Sequence, residues 1–301
     1  MALKNLFCTV LTYAAPSSNY HGETEDNRTV IQKITKGDHE YAVISPEAMR
    51  SALRRILALR ELPMNRRRLR DEAQLAVEFL DYPDAETYAD DFLFGYFVAD
   101  SKEMKKLGRP AKRDSVLRMN MAVALHPYRF DATLHQSPLN AGQSKWKNAA
   151  SSALLHREVA HTAFQYPFAL NFRDCRDKKP WAKALLAAIA ELSQVAGGHA
   201  RSYFEMAPRS IVARLTHALV AGFDLYGFDP AGQFPELARI HAGDLPGSEF
   251  VVAGELARAL APAEKQRLHA LGVQLFDNAQ VGLARLAQEG LNEGLDEGLG
   301  E

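Results

Sequence analysis

Cysteine is nearly absent. Cys8 and Cys175 are the only two in 301 residues, with no Cys-x-x-Cys and no clustered histidine beside either, which excludes a disulfide framework and a zinc module. No apolar run approaches the roughly 18 to 20 residues that a bilayer-spanning helix needs. The N-terminal stretch has one lysine and then a short mixed segment, not the apolar core of a secretory signal. A cytoplasmic location with no membrane partner is the expectation. Signatures of particular chemistries are missing too: no Gly-x-Ser-x-Gly elbow, Walker loop, His-Glu-x-x-His pair or dinucleotide-binding fingerprint occurs. The ten histidines are scattered; His156 and His161, five apart on a strand, face opposite ways and do not pair on one metal. No cofactor is expected. An excess of charge of one sign is also lacking, since 36 Lys and Arg against 37 Asp and Glu leave a net −1.

What is present is a hydrophobic fraction of 47%, enough to fill a core, and a segregation of charge that the total hides. Residues 45–70 carry Arg50, Arg54, Arg55, Arg60, Arg66, Arg67, Arg68 and Arg70 against Glu47 and Glu61. Residues 102–118 carry seven basic side chains against Glu103 and Asp114, and the C-terminal stretch is acidic. Local fields, not the total charge, attract a polyanion. Ser45 is placed to cap a helix with Pro46 in its first turn, and Leu62-Pro63 ends it. Met49, Leu53, Ile56 and Leu57 form its buried stripe, and Arg50 and Arg54 stand one turn apart on the flank, where like charges repel. Two readings stand: an anion such as a nucleic-acid backbone lies between them, or Glu47 neutralises both on a solvated face.

Along the chain, Leu3 to Thr12 reads as a buried strand, Ala14 to Arg28 as a loop and His39 to Ile44 as a second strand. Residues 63–114 form an excursion with helical pieces around Arg66 to Leu80, an acidic turn, the apolar knot 92–97 and a basic loop from Lys102 to Arg113. Ser115 to Leu125 alternates as one strand, with Leu117, Met119, Met121 and Val123 on one side and Arg118 and Asn120 on the other. Residues 126–154 are a second excursion containing Lys145-Trp146-Lys147. Thr162, Phe164, Tyr166, Phe168, Leu170 and Phe172 mark the clearest strand. A helix over Lys179 to Val195, a stop at Gly197-Gly198, and strand or strand-then-helix segments at Arg201–Met206 and Ile211–Leu219 follow. The order strand, helix, strand, strand, helix, strand is the ferredoxin-like pattern of an α+β fold. Glu-Gly-Leu repeats near 289–299 predict a flexible acidic tail over 277–301.

Four segments in order carry a resemblance: Asn19-Tyr20-His21-Gly22-Glu23 with Asn27-Arg28; YAVISPEAMRSALRRIL; Asp91 to Tyr96 followed by Lys112 to Arg118; and Gly197-Gly198-His199-Ala200-Arg201-Ser202 ending in Pro208. Over residues 3 to about 220 the chain resembles the DevR branch of the Cas-seven family, the CRISPR-associated backbone subunits of type I Cascade complexes. The resemblance implies a single hand-shaped domain: a modified RNA-recognition-motif palm (1–62, 115–131 and 159–275), a helical finger insertion (63–114) and a thumb hairpin (132–158). It implies a non-catalytic subunit that polymerises along CRISPR RNA, holds its sugar-phosphate backbone and presents it to a target DNA strand. The other partners are further copies of itself and the Cas-five, Cas-six, large and small Cascade subunits. Residues matching the family, or basic and aromatic in its RNA-facing regions, are Asn19, His21, Arg28, Arg50, Arg54, Arg113, Ser115, Arg118, Lys145, Trp146, Lys147, His199 and Arg201.

The residues support this in kind. Arg118 and Asn120 on an open sheet face beside Arg50 and Arg54 offer charge and donors to phosphates and 2′-hydroxyls without reading bases. Trp146 between two lysines suits stacking beside a displaced base, or anchoring a protein interface. The aromatic pair of an RNA-recognition sheet is absent, with Arg118-Met119-Asn120 in its place. Two alternatives are carried: a DNA-binding autoregulator using Arg66 to Arg70, and a type III-like RNA-cleaving subunit holding Mg²⁺ on Glu23, Glu25 and Asp26.

Overall fold

β1 (Asn5–Thr12) is buried on both of its faces. Leu6, Cys8 and Val10 enter one apolar cluster, while Leu11, with Phe7 packed beside it, enters a second. Period two along a strand thus feeds two cores at once. The computed structural model describes residues 4–18, 20–25, 28–70, 75–99, 101–136, 154–195 and 203–291.

After β1 come β2 (Ala15–Ser17), β3 (Tyr20–Glu25), β4 (Arg28–Ile31), β5 (Lys33–Lys36) and β6 (His39–Ile44), so the expected loop 14–28 is largely strand. α1 (Pro46–Leu59) starts as its sequence requires: Ser45 Oγ accepts the Ala48 amide at 3.2 Å, and Met49, Ala52, Leu53 and Leu57 are buried. The expected helical pieces over 66–80 are instead the hairpin β7 (Arg66–Arg70) and β8 (Leu75–Phe79), with Arg66 opposite Phe79. Leu75, Val77 and Phe79 recur at period two, which suits a strand. α2 (Ala89–Phe94), β9 (Tyr96–Phe97), α3 (Ser101–Lys106) and β10 (Lys112–Arg113) complete this excursion, α3 lying where a loop was expected.

The expected single strand 115–125 is two, β11 (Leu117–Met119) and β12 (Ala122–Ala124). Both pair with β16 (Phe164–Asn171), and the register shifts by one residue between Met119↔Phe168 and Val123↔Gln165. That bulge swaps the core-facing parity: Leu117 enters the core before it, Ala122 and Ala124 after it. β13 (Ala132–Gln136), β14 (Leu154–Glu158) and β15 (Ala160–Thr162) precede β16; α4 (Lys179–Ala190) and β17 (Pro208–Thr216) follow it. The remainder comprises α5 (Ala238–His241), β18 (Phe250–Gly254), α6 (Glu255–Ala259), α7 (Pro262–Ala270), β19 (Gln274–Phe276) and α8 (Ala279–Gly290).

The result is a mixed α/β fold on a nine-stranded sheet, counted among the described residues, with order β19-β18-β17-β1-β16-β12-β6-β5 and β11 beside β16. α1, α4 and α8 bury one face. The other is covered by residues 217–273, whose Phe223, Phe228, Phe234 and Phe250 form an edge-to-face aromatic group. Gln165 of β16 is reconciled with burial there by two hydrogen bonds to Phe228, 3.2 Å to its carbonyl and 3.1 Å from its amide. The expected tail is corrected for residues 279–290: α8 packs on β17, β18 and α4 with Leu283, Leu286 and Ala287 buried. Its small residues permit the approach, for a Cβ on Gly290 would meet the Phe172 ring at 2.0 Å. Residues 292–301 lie outside the described residues.

A second, four-stranded sheet, β13-β14-β4-β3, joins the main sheet through one buried carboxylate. Glu158 accepts the Ile31 amide (3.0 Å), Lys33 Nζ (2.7 Å) and the Tyr128 hydroxyl, and Lys33 belongs to the edge strand β5. Burial alone raises the Glu158 carboxyl; the bonds from Lys33, Tyr128 and Ile31 more than offset it and hold the group below its ordinary 4.5.

Two outcomes follow for the fold. Gly290→Ala gains about 1 kcal/mol of helix propensity, yet must displace a fully buried ring; a net loss of about 1–3 kcal/mol in denaturant unfolding is expected. Because the Glu158 pKa is depressed on folding, its contribution is present above the unfolded-state value of 4.5 and fades as pH falls through the lower folded value. Glu158→Gln should therefore cost about 2 kcal/mol at neutral pH and show a flatter loss of stability below pH 4.5, measured by urea unfolding across pH.

Candidate nucleic-acid interface

Two buried acids at the start of α2 organise the region around the arginine-rich helix. Asp90 accepts the backbone amides of Asn65 (2.8 Å) and Arg66 (2.9 Å). Asp91 accepts Asn65 Nδ2 (2.7 Å) and the Asp84 amide (3.0 Å). Asn65 in turn accepts the amides of Leu80 on its carbonyl (2.7 Å) and Asp81 on its side-chain oxygen (2.9 Å). Both ends of the β7–β8 hairpin are thereby pinned to α2. Burial pushes the Asp91 carboxyl up against the opposing hydrogen bonds, and its Oδ1 is buried with no hydrogen-bond partner.

α2 ends on Gly95, whose φ is +67°. A Cβ there would sit 2.4 Å from the Arg113 carbonyl oxygen and 2.8 Å from the Ser115 amide, so only glycine lets the 113–115 segment cross so closely. Ser115 Oγ is spent locally, within hydrogen-bonding distance of the Leu93 carbonyl at 3.0 Å and of the Leu117 carbonyl.

Between α1, α2 and this crossing runs an open groove of about 910 Å³ lined by Arg50, Arg54, Arg55, Arg66 and Arg113, with Glu47 and Asp114 the acids at its rim. Three of the guanidinium groups rest on phenylalanine rings: Arg54 over Phe94 at 4.5 Å from the centroid, Arg66 over Phe79 at 4.7 Å and Arg113 over Phe92 at 4.9 Å. The Nε atoms of Arg50, Arg54 and Arg113 are buried without a hydrogen-bond partner; Arg50 Nη2 donates to the Leu117 carbonyl at 3.3 Å. Burial, then Arg66, lowers the Arg54 pKa to about 10, with Asp90 and Asp91 opposing and Arg50 adding to the repulsion. Burial lowers Arg50 as well; Glu47 opposes this and Arg118 reinforces it. All of these groups are cationic near neutral pH, and each donor left unpaired in a dry wall is a demand for an acceptor. An oxyanion meets that demand, and a chain of them meets several at once.

Of the residues picked from sequence, Arg50, Arg54, Arg113 and Ser115 converge on this groove. Arg118 lies just outside it, exposed and 3.7 Å from Asp114. His21 is on β3 and Arg28 on β4 of the four-stranded sheet, not in the groove; Arg28 lies over the Phe130 ring at 5.2 Å. Asn19, Lys145, Trp146, Lys147, His199 and Arg201 lie outside the described residues, as does Asp26 of the acidic trio. Glu47 acts on Arg50, whereas the acids that bear on Arg54 are Asp90 and Asp91, and Arg54 is largely buried on Phe94 instead of solvated. Sequence reasoning missed Arg66, Phe92, Phe94 and Gly95 as parts of one site. The apolar knot was visible as composition, but nothing in its spacing says that it turns beneath α1.

No family model matches the chain. The curated CRISPR-associated protein Cas7/Cst2/DevR of Myxococcus xanthus (strain DK1622) is 31% identical over 279 residues, spanning 88% of this chain and 91% of that protein. A chain of a solved CRISPR RNA-guided surveillance complex shares the fold with a TM-score of 0.58 at 10% identity, covering 95% of this chain and 99% of that one. A chain of a second such complex, in a pre-nicking state, gives 0.56 at 11%, covering 95% and 100%. With 31% identity along 88% of its length to a Cas7/Cst2/DevR protein, and a fold shared over 95% of the chain with a subunit of a solved surveillance complex, the chain belongs to the Cas7/Cst2/DevR family of CRISPR-associated proteins.

Proposed function

We propose that this chain is a non-catalytic backbone subunit of a type I CRISPR Cascade effector, and that the α1–α2 groove grips the sugar-phosphate backbone of its CRISPR RNA. The observation that carries the reading is the groove itself: five arginines against two rim acids, with three buried Nε donors unpaired, in a chain whose net charge is −1. A wall of guanidinium groups recognises phosphates irrespective of base, which is what a subunit repeated along one RNA requires.

In this reading the palm is ferredoxin-like. Support comes from the run β17-β1-β16-β12, antiparallel throughout, with α1 between β1 and β12 in sequence and α4 between β16 and β17. The fingers are residues 63–114 and the thumb 132–158. These two excursions are longer than ordinary connections and are read as arms that reach neighbouring copies, giving a head-to-tail, non-closing assembly whose length the RNA sets. Its partners are further copies of itself, the target DNA strand and the Cas-five, Cas-six, large and small subunits, all in the cytoplasm. Both oxygens of the buried Asp90 beside the groove are spent on the backbone amides of Asn65 and Arg66, which fits positioning better than hydrolysis.

Purified from cells carrying its CRISPR locus, the protein should bring down RNA of roughly 30 to 60 nucleotides, the spacing expected of a polymer along one guide; duplex promoter DNA in its place overturns the reading. Binding to single-stranded RNA should be sequence-indifferent, with a log-log salt slope near −0.7 per phosphate held. Arg54→Met should lower affinity roughly tenfold for all RNAs. Since burial and Arg66 work against the Arg54 charge, the same variant should melt no lower than the parent; a large drop in Tm shows Arg54 to be a structural group instead.

A further inference from the structure

Three of the five groove arginines, Arg54, Arg66 and Arg113, rest on aromatic rings. A carboxylate seat fixes a guanidinium by consuming its N–H donors and cancelling its charge, whereas an aromatic face fixes the plane and leaves the edge donors unused. Arg54 and Arg113 show the second arrangement: each places its guanidinium carbon within 5 Å of a ring centroid, with Nε unpaired. Both rings come from one short element, α2, in which all six residues are buried.

The rings are themselves immobilised. Phe92 meets Trp181 of α4 edge to face, 5.6 Å between centroids at 68°, and Lys178 Nζ lies over the Trp181 ring at 4.5 Å. Phe92 is thus clamped between Trp181 and Arg113. Phe94 belongs to the main apolar cluster, and Gly95 beside it admits the Arg113 backbone at a distance no side chain allows. The acids Asp90 and Asp91 turn away to the amides of Asn65, Arg66 and Asp84.

We infer that Phe92 and Phe94 are positioning residues for nucleic-acid binding: they seat the guanidinium planes of Arg113 and Arg54 so that a backbone phosphate meets donors already ordered. This rests on the groove being the RNA site. An exposed arginine surrenders its rotamer freedom when a ligand immobilises it; one laid on a fixed ring has surrendered it during folding, and that cost no longer weakens the complex. Phe94 and Phe92 act through arginine and need not touch RNA.

The test uses the full chain and a fluorescent single-stranded RNA of mixed sequence, with anisotropy titrations over a range of salt and melting curves alongside. Phe94→Leu keeps the apolar volume and removes the ring; affinity should fall about 3- to 10-fold with the salt slope unchanged, because the charges remain. Phe94→Tyr keeps a ring face and should restore affinity to within about twofold of the parent. A merely structural ring predicts that leucine and tyrosine shift Tm and leave affinity well below Tm alone, and that result overturns the inference. If Phe94→Leu does not fold, Phe92→Leu makes the same measurement on Arg113. Should Arg54→Met weaken binding while neither ring variant does, the seats fail and the groove stands. Should Arg54→Met itself leave affinity unchanged, the groove is not the RNA site and the seating role is overturned with it.

Discussion

Everything around the arginine groove depends on two carboxylates that never reach it. Asp90 and Asp91 are fully buried, and a buried carboxylate is costly unless hydrogen bonds offset its desolvation. Both oxygens of Asp90 and one of Asp91 find such bonds in the amides of Asn65, Arg66 and Asp84 and the Asn65 side chain, which draws the hairpin root and the following loop onto one short helix. With α2 fixed in this way, Phe92 and Phe94, two positions apart and so on different sides of the helix, lie under Arg113 and Arg54 respectively. The same acids supply counter-charge that keeps a crowded set of guanidinium groups compatible with folding.

The main sheet answers a different constraint. Strands covered on both faces cannot show clean alternation of apolar and polar residues, and β1, β17 and β18 do not. Their alternate residues are divided between two cores, so the segments within residues 217–273 that pack on this sheet are as much a part of the fold as the helices opposite. The polar Gln165 near the start of β16 is a point where that second layer attaches, through two hydrogen bonds to the Phe228 backbone. Both faces of β1, β17 and β18 are covered by the chain itself, and the candidate interface lies instead on the arginine flank of α1. The missing aromatic pair on the sheet is consistent with that relocation.

Much of the fold was legible along the chain. The Ser45 cap, the Met49–Leu53–Leu57 stripe, β1, β6, β16 and α4 follow from local periodicity and capping chemistry, which depend only on neighbours within a few residues. The errors have the same origin. The strand over 115–125 broke because a one-residue bulge, set by pairing with β16, reversed which side faces the core. The helical pieces expected around Arg66 to Leu80 are the hairpin β7–β8, where cross-strand pairing and the period-two apolar set of β8 decide the outcome. The tail over 279–290 looked frayed because its small residues weaken an isolated helix, yet those residues are what lets α8 lie on Phe172 and Ala253.

For the candidate site, the sequence by itself determined the chemistry: an excess of arginine in two separated segments, residues 45–70 and 102–118, within a chain of balanced charge, and a resemblance that the 31% identity with a Cas7/Cst2/DevR protein bears out. It did not determine which arginines meet. Arg54 and Phe94, or Arg113 and Phe92, are brought together by the return of α2 under α1 and by the crossing at Gly95, and such long-range contacts leave no periodic trace. Charge is a property a residue carries alone, whereas a seated, unpaired and desolvated guanidinium exists only once the ring beneath it and the acids behind that ring have been packed into place.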